Sequence, residues 1–151
     1  MRIPWYLVVL LVIPASAKAA TCDAMVADIV EKAGAHFNHY SPSGQNAFFD
    51  VPSIGFHLHL SYGQIPQLVS VDGSWNQNAF PPNQFFKTLA AARTVVTSET
   101  ASKLEGAIRK CYKAALADTS ELSSLDVGTA HIEYQAFTRD GGGVEMSIFH
   151  Q

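Results

Sequence analysis

The sequence predicts a single α+β domain: an antiparallel sheet of four to five strands packed against two or three helices, with one disulfide. Three observations carry this. A chain of 151 residues that is 48% hydrophobic and 15% charged suits one packed core. Apolar periodicity is helical near the start and the middle, and period two at residues 46–62 and near the end. No strand–helix–strand alternation repeats, which favours an antiparallel sheet with helices on one face. Collagen-like, coiled-coil and disordered classes are excluded, because Gly numbers only 10 and charge is sparse. A formal net charge of -3 also argues against a nucleic-acid binder.

The first segment is an export signal in pattern. Met1-Arg2 is a short basic start, Trp5 to Ile13 is an unbroken apolar run, and Ala17-Lys18-Ala19 supplies small residues at the cleavage positions. The run is shorter than the ~20 helical residues that a bilayer requires. Residues 1–19 are therefore expected to be removed, leaving residues 20–151 as the domain, in the periplasm or outside the cell, with no transmembrane segment. Thr21 stands before Cys22 where a lipidation motif has a smaller residue, so a lipid anchor is not expected. Removing Arg2 and Lys18 leaves 132 residues with eight basic and thirteen acidic side chains, a net charge of -5.

Residues 22–37 read as an amphipathic helix with Met25, Val26, Ile29, Val30 and Ala33 on one face. Strands are expected at Asn46–Val51 and Gly55–Tyr62, then at Gln67–Val71, ended by an Asp72-Gly73 turn. Pro82 suits the first turn of a helix reaching Val96, and Ser98 would cap a second that runs to Asp118. The β-branched stretch Thr94 to Thr97 weakens the junction, so the two helices are compatible with one bent helix. Val127–Thr138 and Val144–His150 read as a hairpin around Gly141 to Gly143.

Cys22 and Cys111 are the only cysteines, and an even pair in an oxidising compartment reads as a disulfide. Closing so long a loop contributes about 4–5 kcal/mol in the chain-entropy picture. No CxxC is present, so the expected role is structural.

Two surfaces carry candidate chemistry. Between Tyr62 and Phe86 the chain is rich in aromatic and amide side chains, with Asp72 its single charge. Tyr62, Trp75, Asn76, Gln77, Asn78 and Phe80 would offer ring area and hydrogen-bonding groups to a protein or glycan partner in the cell envelope. The competing expectation is a metal-binding protein. His57 and His59 alternate onto one strand face, and His131 with Glu133 repeats the pattern, a donor set suited to zinc or copper if the strands adjoin. Lys103, Arg109, Lys110 and Lys113 form a basic helical side facing the solvent.

Catalytic signatures are missing: the chain has no Gly-x-Ser-x-Gly, no His-Glu-x-x-His and no phosphate loop between strand and helix. The sequence therefore points to a non-enzymatic binding module. In size and expected compartment it is similar to small periplasmic inhibitor and immunity-type proteins, a likeness of architecture and not of motif. Intact-mass spectrometry of protein recovered from the export compartment is expected to show a chain beginning at Ala20; a mass that retains residues 1–19 overturns the leader assignment.

Overall fold

Alternating burial along the first hairpin sets the architecture. In a computed structural model, which describes residues 16–62, 69–75, 80–136 and 144–150, Ala47, Phe49 and Val51 are buried while Asn46, Phe48 and Asp50 stay partly open. Phe56, Leu58 and Leu60 repeat the buried set on the next strand. A two-residue period has a single consequence: one sheet face is core and the other faces out.

The elements run α1 (Ser16–Ala33), β1 (His36–Tyr40), β2 (Asn46–Val51), β3 (Phe56–Tyr62), β4 (Val69–Trp75), α2 (Asn83–Arg93), α3 (Ala101–Ala117), β5 (Leu122–Val127), β6 (Ala130–Ala136) and β7 (Val144–His150). Seven strands form one antiparallel sheet in the order β1-β2-β3-β4-β7-β6-β5. The α2–α3 connection carries the chain to the far edge. The last two hairpin arms then return inward, and β7 docks beside β4. The α+β class with an antiparallel sheet therefore stands; four to five strands was too few.

Both additional strands have local causes. Gly34, at φ 61, ends α1 four residues before the expected end, and His36–Tyr40 then pairs with β2. Gly128, at φ 58, turns the chain between β5, on residues where, Val127 aside, no strand was expected, and β6, which lies within the expected Val127–Thr138 strand. Asp72-Gly73 is not a turn: both residues lie within β4, which continues to Trp75. Packing explains this glycine, since a Cβ at Gly73 would stand 2.9 Å from the Phe56 ring and 3.0 Å from Leu89 Cδ1. The two central helices are separate, and Thr100 rather than Ser98 caps α3, accepting from the Lys103 amide at 3.3 Å.

All three helices lie on the same side. α2 packs on α1, α3 and β4, while α3 covers β5 and β6. Ile29, Phe85, Leu89, Leu104 and Ile108 are fully buried between helices and sheet. A chain of ring contacts runs through this layer, from Trp75 to Phe85 (6.4 Å), Phe86 (5.3 Å), Tyr112 (5.2 Å) and Tyr134 (5.3 Å). Arg109 stacks its guanidinium over Phe86 at 4.5 Å while pairing with Glu105 at 2.7 Å. Half of the basic run on α3 is thus already engaged, because Lys103 pairs with Glu99 at 2.7 Å as well.

No disulfide is found among the described residues. Cys111 is a free, buried thiol whose Sγ donates to the Ser123 carbonyl at 3.4 Å, and burial pushes its pKa up. It faces β5, whereas α1 packs on α2 and on β1; the Cys22 side chain lies outside the described residues.

Trp75 is 6% exposed, a core residue rather than part of a binding platform. Trp75→Ala is accordingly expected to cost about 3–5 kcal/mol in urea denaturation. Phe80→Ala, at a site 64% exposed, should stay within about 0.5 kcal/mol. An unchanged midpoint for Trp75→Ala would contradict the burial.

Candidate functional site

The face opposite the helices is a surface of histidines and carboxylates. Cross-strand register sets its rows. One row reads His36, Asp50, His57, Ser74, Glu145, Gln135. The next reads His39, Phe48, His59, Asp72, Ser147, Glu133. His131 and Asp126 stand opposite each other in a third. Directly opposed residues of antiparallel strands share a face, so five of the six histidines come to one side.

Three imidazole–carboxylate pairs link neighbouring strands. His57 Nδ1–H donates to Asp50 Oδ1 at 2.7 Å, and Asn38 Nδ2 donates to the other carboxylate oxygen at 3.2 Å. His59 Nδ1 lies 3.2 Å from Asp72 Oδ2. His131 Nδ1 is 2.5 Å from Asp126 Oδ1, with its Nε2 3.5 Å from Glu133. Phe48 is sandwiched between His39 and His59, with centroids 4.8 Å away on both sides and interplanar angles of 19° and 9°. Ring stacking and ion pairing therefore hold the same imidazole, His59, from two directions. A shallow depression of about 340 Å³ opens over this half of the face, bordered by His39, Asp50, His57, His59, Asp72 and Glu145.

Asp72 is acted on from the core side too. Arg93, in the last turn of α2, is fully buried, and its three guanidinium nitrogens have no hydrogen-bond partner among the described residues. Burial pulls its pKa well below the ordinary value, and the Asp72 carboxylate opposes that pull. Asp72 thus lies in the field of a core cation while His59 pairs with it on the open face.

The sequence-predicted site residues are dispersed. His57 and His59 do share one face, but β4 and β7 separate β3 from β6. His131 and Glu133 therefore stand about 14 Å from them, three strand spacings away. The four do not form one metal centre, and no group of three or more potential metal ligands occurs among the described residues. Of the loop residues, Trp75 is buried and Phe80 is exposed. Asn76, Gln77, Asn78 and the Tyr62 side chain lie outside the described residues. His36 and His39, which the sequence sets beside the end of the first helix, lie on β1 instead. Among the described residues all six histidines lie on strands, and every Lys and Arg lies on a helix.

The chain matches no family model, no curated protein and no solved structure.

The His131 imidazole is held above its ordinary pKa of 6.5, chiefly by its hydrogen bond to Asp126, against a smaller opposing effect of burial. An NMR titration should show His131 titrating above 6.5 and Asp126→Asn moving it down. Because the folded-state pKa is the raised one, the pair stabilises the fold below the unfolded pKa. That stabilisation disappears as pH rises through the folded value. A titration unaffected by Asp126→Asn would contradict the pairing.

Proposed function

We propose that this chain is an exported, non-enzymatic binding module that engages a partner protein through the open face of its sheet. The observation that carries the reading is that face itself: a wide pleated surface with no described helix over it, lined by paired imidazoles and carboxylates. Surfaces of this kind suit recognition, because strand register holds the polar groups at set spacings. Protein is favoured over glycan as the partner, since Trp75, the ring expected to stack on a sugar, is committed to the core.

Export rests on the leader pattern of residues 1–19. Among the described residues no helix is long and apolar enough to cross a membrane.

A His–carboxylate pair is also two-thirds of a nucleophilic triad. Here no serine, threonine or cysteine side chain hydrogen-bonds to His57 or His59 among the described residues. The imidazoles are instead packed and paired within the face, an arrangement that favours binding.

The test is capture of partner from an envelope extract by immobilised protein. Ser124→Arg, on the exposed side of β5, should reduce capture of a given partner at least tenfold with an unchanged melting temperature. Lys113→Glu, on the helical side, should leave it intact. The reverse pattern assigns the contact to the helices and overturns this reading.

A further inference from the structure

We draw no further inference here: the strongest candidate, the depression on the open sheet face beside the His39–Phe48–His59 ring stack, belongs to the site already described, and nothing among the described residues shows what covers it.

Discussion

The constraint on which the rest depends is the two-residue period of the β2–β3–β4 hairpins. Phe49, Leu58 and Gly73 are consecutive register partners on the buried side. Phe48, His59 and Asp72 are consecutive partners on the other. A slip by one residue would send His59 and Asp72 into the core and the three core positions into water. The buried row is made specific by shape: the Phe56 ring and Leu89 occupy the space in which a Gly73 side chain would stand. Tight packing on one face is therefore what aligns the imidazoles and carboxylates on the other.

That coupling gives the candidate site its rigidity. Each of these side chains belongs to a strand rather than a loop, and three of the pairs bridge two strands, so the groups are held at sheet spacings. His59 illustrates this, stacked on Phe48 and paired with Asp72, whose carboxylate also counters the charge of Arg93 from within. A buried guanidinium without hydrogen bonds is costly, on the order of several kcal/mol before compensation. Its position in the last turn of α2 is the favourable end of a helix for a cation. Core and surface electrostatics meet at Asp72.

Charge partition and architecture are one fact seen twice. Helices need an apolar stripe and tolerate Lys and Arg elsewhere, because long basic side chains reach water from a crowded surface. Strands here carry short acids and imidazoles that pair across the sheet without covering it. On the helical side Lys103 and Arg109 pair with Glu99 and Glu105, while Asp126, Glu133 and Glu145 on the strand side stay exposed.

The sequence by itself determined the class and much of the local structure. Asn46–Val51 and Val144–His150 were legible to the residue, since alternating apolar residues flanked by turn-formers have one economical reading. Local signals failed where a glycine had a tertiary role. Asp72-Gly73 has the composition of a turn, and only the closeness of Phe56 and Leu89 places it inside a strand. Trp75 failed similarly, because an aromatic beside amides looks the same in sequence whether it faces solvent or Phe85. His57 and His59 were correctly put on one face, but their distance from His131 is a matter of strand order. No local pattern encodes that order: it is decided when the α2–α3 connection delivers β5 to the far edge and β7 returns to pair with β4. Periodicity is a property of neighbours along the chain, whereas adjacency of strands is decided by which apolar faces the helices cover.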